Sequence, residues 1–319
     1  MIQYLMKEGT PLMAAIGLLV AFAGTCFFIS KLEKFLPKDA GREYAHDGKL
    51  SAGKPRGAGI IFILVFAVST LLFAPVDLEL CIYLILIVAE MLTGFMDDAS
   101  EHPWGGYKKG LLDLIVAIVL AVTYLNFNSS VIRFAILGMT ITIPPILFGL
   151  MTVILVWCSI NVTNCSDGVD GLSGTLTIIT LVTFYVIDNI TQKTDGFTYV
   201  ILMFVICILG YLWYNATPSR LMMGDAGSRA MGLFISIVAL KSENPLLYIP
   251  VAIVLILDGG LGLLKVALIR GFKIYILKNT RTPLHDHVRK IKGWSNTQTV
   301  FRFAIIQIVI SVATVYLLK

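Results

Sequence analysis

Residues 161–172 read NVTNCSDGVDGL and lie between two apolar runs, each long enough to cross a bilayer. Asn161, Asn164, Asp167 and Asp170 recur at a spacing of three, with Gly168 and Gly171 beside the acids and no Lys or Arg among them. Loops at a membrane face ordinarily carry basic residues. This one instead suits a magnesium ion or a phosphate-bearing ligand. Mg2+ takes one or two carboxylates with phosphate oxygens, and glycines let a ligand approach backbone N–H groups.

Outward from this stretch the chain is nearly all membrane-spanning. Its 319 residues are 57% hydrophobic and only 14% charged, with a mean hydropathy of +0.85, whereas soluble domains carry about 25% charged residues. Ten apolar runs stand out: 11–30, 57–74, 78–96, 109–126, 143–160, 170–188, 198–214, 226–241, 245–268 and 299–318. The expected fold is therefore an all-α integral membrane protein of ten transmembrane helices, one polytopic domain over 1–319. The first run is too long for a signal peptide and lacks a small-residue cleavage site. Residues 129–143 alternate enough for a short β-hairpin between the fourth and fifth spans. The five cysteines include no CxxC pair, so neither a zinc site nor a disulfide framework is expected.

The net charge of +5 does not signal nucleic acid, because the basic residues sort by membrane side. Of 25 Lys and Arg, 20 fall on alternate loops or their helix ends, and only Lys7, Arg133, Lys193, Lys241 and Lys319 fall on the other side. The positive-inside rule makes the first side cytoplasmic, with both termini outside. Four acidic clusters share that side: MDDAS (96–100), NCSDGVDG (164–171), MGDAGS (223–228) and TPLHDH (282–287). They predict one composite site in a cytoplasmic cleft.

Asp97 and Asp98 end the third span, where carboxylates oppose the helix dipole, so a cation is expected there. Adjacent helical residues point about 100° apart, which gives the pair separate partners. Glu90, seven residues earlier, is an intramembrane acid on nearly the same face, a costly placement that usually serves function. Asp167 or Asp170 could simply cap the sixth span, but four polar side chains exceed what a cap needs. Asp225 and Ser228 open the eighth span. Asp258-Gly259-Gly260 is expected to bend the ninth. His285 and His287, at i and i+2, share no helix face, and phosphate contact with Arg281 nearby suits them better than zinc.

These blocks, in this order from about residue 50 onward, resemble the polyprenyl-phosphate N-acetylhexosamine-1-phosphate transferase superfamily. GFMDDAS is similar to its aspartate pair, NVTNCSDGVDGL to its Asn/Asp signature and MMGDAGS to its Gly-Asp-x-Gly-Ser motif. TPLHDHVRKIKGW resembles the branch that handles muramoyl-pentapeptide. The resemblance implies a Mg2+-dependent enzyme, usually a homodimer among membrane lipids, that moves phospho-MurNAc-pentapeptide from UDP-MurNAc-pentapeptide to undecaprenyl phosphate. It implies Asp225 as the magnesium ligand, Asp97 with Asp98 beside it at the lipid phosphate, and Lys109, His285 and His287 as further catalytic groups. Asn161, Asn164, Asp167, Gly168, Asp170, Asn215, Met222 and Ser228 fall to substrate binding. The chain departs from the pattern in three places. Asp286 replaces the middle histidine of a triplet, and Met222 stands where Phe commonly faces the base. AGKPRGAG replaces a Gly-Thr-Pro-Thr-Met-Gly-Gly loop, leaving Lys54 and Arg56 for substrate contact. A sister enzyme using UDP-N-acetylglucosamine is the nearest alternative. A transporter fits less well, since the acids gather at one face and no half repeats.

Overall fold

The computed structural model describes residues 11–41, 51–102, 104–134, 138–191 and 196–319. Lys7 and Lys193, named above, lie outside them, as do Arg42 and Lys49, two of the 20 basic residues on the opposite side. The helices are α1 (Pro11–Leu32), α2 (Gly59–Phe73), α3 (Leu78–Asp98), α4 (Gly106–Phe127), α5 (Pro145–Cys165), α6 (Leu172–Ile190), α7 (Phe197–Asn215) and α8 (Gly224–Lys241). A bent pair follows, α9 (Pro245–Val251) and α10 (Ile253–Phe272), then α11 (Leu284–Lys292) and α12 (Asn296–Leu317). Strands β1 (Val131–Phe134) and β2 (Met139–Thr142) pair antiparallel between α4 and α5, where alternation predicted a hairpin.

Local chemistry sets several of these boundaries. The Asp77 side chain accepts the Leu80 N–H at 2.7 Å to start α3, and Pro145 opens α5, where its missing N–H costs nothing. Ser295 and Gln298 close a reciprocal capping box on α12. The N-cap of α6 is Gly171, which has no side chain to offer and whose φ of +82° turns the chain into the helix.

Among the described residues, seven helices are long and apolar enough to cross a membrane, or eight if the bent pair is one span. The two other expected runs are helical but atypical. Helix α2 has 15 residues, and α8 carries Asp225, Arg229 and Lys241. The reason for α8 is its position, for every residue from Gly224 to Leu240 is buried. A helix enclosed by protein need not be apolar towards lipid. Small residues seat it closely: a Cβ on Gly59 would fall 2.0 Å from Gly227 N, and one on Gly94 2.5 Å from Asp225 O. Such backbone approaches are how helices associate where lipid provides no hydrophobic drive.

The ninth run breaks earlier than expected. The 72° bend falls at Ala252, just after Pro250, while Asp258-Gly259-Gly260 forms a wide π-type turn beyond it. Pro250 supplies no N–H and cannot continue a helix cleanly. Gln307 of α12 covers the freed backbone, accepting from Val254 N at 2.9 Å and donating to Val251 O at 2.8 Å. The break is thereby satisfied by protein, as a helix interrupted at membrane depth requires.

Candidate active site

The ends of α3, α5 and α7 and the starts of α2, α4, α6, α8 and α11 meet at one end of the bundle. At its centre is Asp225, in the first turn of α8. Lys109, in the first turn of α4, places its ammonium 2.9 Å from Asp225 Oδ2 and 2.5 Å from Asp97 Oδ2. Asp97 Oδ1 also accepts the Trp104 N–H at 2.6 Å. Arg56, in the loop before α2, lies 2.9 Å from Asp98 Oδ1, 3.5 Å from Asp225 Oδ1 and 3.6 Å from Asp39 Oδ1. Burial alone would lower the Arg56 pKa. The carboxylates of Asp98, Asp225, Asp39 and Asp97 outweigh that and raise it, so the guanidinium stays charged.

The neighbouring aspartates do different work, because their directions on α3 diverge. Asp97 faces Lys109, whereas Asp98 turns to α8 and accepts the N–H groups of Asp225 and Ala226, both at 3.0 Å. Asp98 thus caps α8 from another helix, in place of a capping side chain in the α8 loop.

Around this core, Asn164 donates to Ser228 Oγ at 3.0 Å. Asp170 sits 3.9 Å from Lys54 Nζ and accepts Ser219 N at 3.3 Å. Lys54 also donates to Ser219 Oγ at 3.1 Å. Asn215 is engaged at both ends of its amide, accepting from Gly171 N and donating to Leu221 O, each at 2.8 Å. Met222 pairs through its backbone with the 55–58 loop, to Pro55 O and from Ala58 N. The altered early loop is therefore built into the site, carrying Lys54 and Arg56 there.

His285, the second residue of α11, is buried and bound to Asp258: its N–H donates to Oδ1 at 2.7 Å and its Nδ1 lies 2.8 Å from Oδ2. The ring's far edge rests against Gly168, where a Cβ would fall 2.2 Å from Nε2. The glycine expected to admit a ligand admits this imidazole instead. Asp167 begins the same turn, its N–H donating to Asn164 O at 3.2 Å. His287 points elsewhere, its Nδ1 accepting Arg281 N at 3.3 Å, and Asp286 faces Arg289 at 3.7 Å.

Asn161 does not join Asn164. Its amide donates to Asp113 Oδ2 at 2.9 Å, deeper in the bundle. Asp113 was missed in the sequence, although an acid within an apolar run is a signal by itself. Asp39 was missed as well.

No cage of three or more His, Cys, Asp or Glu side chains occurs among the described residues. Mg2+ needs fewer protein ligands, because phosphate oxygens and waters complete its shell. Asp225, with Asp97 on the same ammonium, fits that donor set. The Asp98 side chain, enclosed and turned to the α8 amides, does not.

Residues 80–243 match glycosyl transferase family 4, and with the apolar helices this makes the protein a membrane-embedded transferase. Among similar proteins is the phospho-N-acetylmuramoyl-pentapeptide-transferase of Treponema pallidum (strain Nichols), 37% identical over 318 residues, covering 94% of this chain and 88% of the relative. Proteins of that name from Symbiobacterium thermophilum (31% over 267 residues, 79% and 78% covered) and Borrelia hermsii (26% over 316 residues, 91% and 88% covered) are also similar. The chain belongs to the phospho-N-acetylmuramoyl-pentapeptide-transferase family.

Proposed function

We propose that this protein transfers phospho-MurNAc-pentapeptide from UDP-MurNAc-pentapeptide to undecaprenyl phosphate, forming lipid I for peptidoglycan and releasing UMP. The observation that carries the reading is the 37% identity to a transferase of that name across 94% of the chain. The ion-paired cluster of Asp97, Lys109, Arg56 and Asp225 lends it chemical support. An oxygen of the lipid phosphate attacks the phosphorus bearing the sugar, and the bond from that phosphorus to the UMP oxygen breaks. One phosphoanhydride replaces another, so no ATP is consumed.

Two anionic phosphates must meet for this reaction, and positive charge fixed beforehand lowers that barrier. In this reading Lys109 and Arg56 supply it, oriented by the carboxylates that hold them. Asp97 positions the lipid phosphate and accepts its remaining proton when it carries one. Direct attack is favoured over an aspartyl intermediate, since a carboxylate is a weak nucleophile. Asp225, with Asp97 in reach, would hold Mg2+, which would neutralise phosphate charge when bound. Asn164, Asp167, Asp170 and Ser228 line the nucleotide side, with Lys54 beside Asp170. His285, fixed by Asp258, contacts a phosphate or the sugar.

The reading includes ten spans in a bacterial plasma membrane, the site at the cytoplasmic face, both termini outside and a homodimer. The charge asymmetry of the loops supports that orientation. The test compares purified protein with UDP-MurNAc-pentapeptide and with UDP-N-acetylglucosamine, each with Mg2+ and polyprenyl phosphate, following UMP. A kcat/KM at least about a hundredfold higher for the muramoyl substrate is expected, on the scale of losing contacts to buried polar groups. Equal or reversed values would assign the chain to the sister activity.

A further inference from the structure

Arg229 lies four residues past Asp225 on α8, one turn deeper in the bundle, and is 2% exposed. Its Nε is 2.8 Å from Glu90 Oε1, and its Nη2 is ion-paired with Asp113 Oδ1. Asp113 in turn accepts from Asn161. Each member sits below a residue of the site on the same helix. Glu90 is seven residues before Asp97 on α3, Asp113 four after Lys109 on α4, and Asn161 three before Asn164 on α5. At 1.5 Å per residue the two layers are about 5–10 Å apart. The deeper layer therefore ties together the four helices whose ends carry Asp97, Lys109, Asn164 and Asp225.

This layer is poorly arranged for stability alone. Two carboxylates face one guanidinium, all are buried, and Arg229 Nη1 has no hydrogen-bond partner among the described residues. Apolar side chains of similar volume often replace such clusters without loss of stability. What they cannot replace is a fixed geometry between helices and a cation one turn beneath Asp225.

We propose that Arg229 is a positioning residue for the transfer reaction. Through Glu90 and Asp113 it sets where Asp225 stands relative to Asp97 and Lys109. The proposal rests on the transferase reading of the same site. Displacing catalytic groups by about 1 Å costs roughly a hundredfold in rate. The test uses the full chain, purified and monodisperse in detergent, in three forms: unaltered, Arg229→Met, and the triple variant Glu90→Met/Asp113→Leu/Arg229→Met. Thermal midpoint, kcat and KM for UDP-MurNAc-pentapeptide are measured for each. Arg229→Met leaves two buried carboxylates unpaired and is expected to lower the midpoint. The triple variant, free of buried charge, is expected to regain the midpoint yet keep a kcat about ten- to a hundredfold below the unaltered chain, its KM within about threefold. A triple variant with unaltered kcat would overturn the proposal and leave the layer a folding element. Failure of the unaltered chain to release UMP would instead overturn the transferase reading, and this proposal with it.

Discussion

Asp98 accepts the backbone N–H of Asp225 at 3.0 Å across 127 residues of sequence. The same carboxylate takes the Ala226 N–H and holds Arg56. Asp98 thus completes the first turn of α8, and the position of Asp225 depends on it. Asp97, its neighbour, makes no such contact and is bound to Lys109 and the Trp104 amide.

The two aspartates should consequently fail in different ways. Asp98→Asn keeps one acceptor oxygen, loses the other amide bond and the Arg56 charge pair, and should cost about 2 kcal/mol of stability with its loss of activity. Asp97→Asn should lose activity to a similar extent while its thermal midpoint in detergent stays close to that of the unaltered protein. Equal falls in midpoint would contradict the division of roles.

Gly168 and His285 should act as a unit. A methyl group on Gly168 would fall 2.2 Å from His285 Nε2, and Asp258 holds the other side of the ring. Gly168→Ala is expected to reduce turnover about as far as His285→Ala. The double variant should lose little more than either single one, because neighbours sharing one contact are not additive. Full additivity in a double-mutant cycle would separate the two residues.

Asn215 has a different signature. Both ends of its amide tie loops at the start of α6 and before α8. Asn215→Ala leaves Gly171 N and Leu221 O without those partners and should lower stability by about 2 kcal/mol. It should also raise KM for the UDP substrate more than it lowers kcat. A change in KM without any fall in the midpoint would make Asn215 a ligand contact rather than a brace.

Removing Mg2+ with a chelator should stop UMP release, and restoring it should recover the activity. Asp225→Asn should fold and insert yet stay at background at any Mg2+ concentration. Near-normal turnover with an unchanged Mg2+ dependence would remove Asp225 from that role.

The elements were largely legible in the sequence because apolar runs and turn chemistry are local. The hairpin followed from alternation, and the last helix from the apolar run 299–318, although its start lies three residues earlier, at Asn296. The meeting of the acidic blocks at one end followed from alternating crossings. What stayed hidden depends on partners far along the chain. Asp98 looked like a second catalytic acid, and its tie to α8 lies 127 residues away. Asn161 and Asn164 share a spacing, yet small differences of depth send one to Asp113 and the other to Ser228. The glycines after Asp258 drew attention away from Pro250, which precedes the break. The reach of His285 to Asp258 has no local signal, since the two lie on separate helices.

The most direct test follows one atom. UDP-MurNAc-pentapeptide labelled with 32P at the phosphorus bearing the sugar is incubated with the purified protein, Mg2+ and undecaprenyl phosphate, with Asp225→Asn as control. The account predicts that the label passes into the lipid phase while the released nucleotide is unlabelled UMP, and that the control transfers none. Label retained in released UDP would show transfer of the sugar without its phosphate and contradict the account.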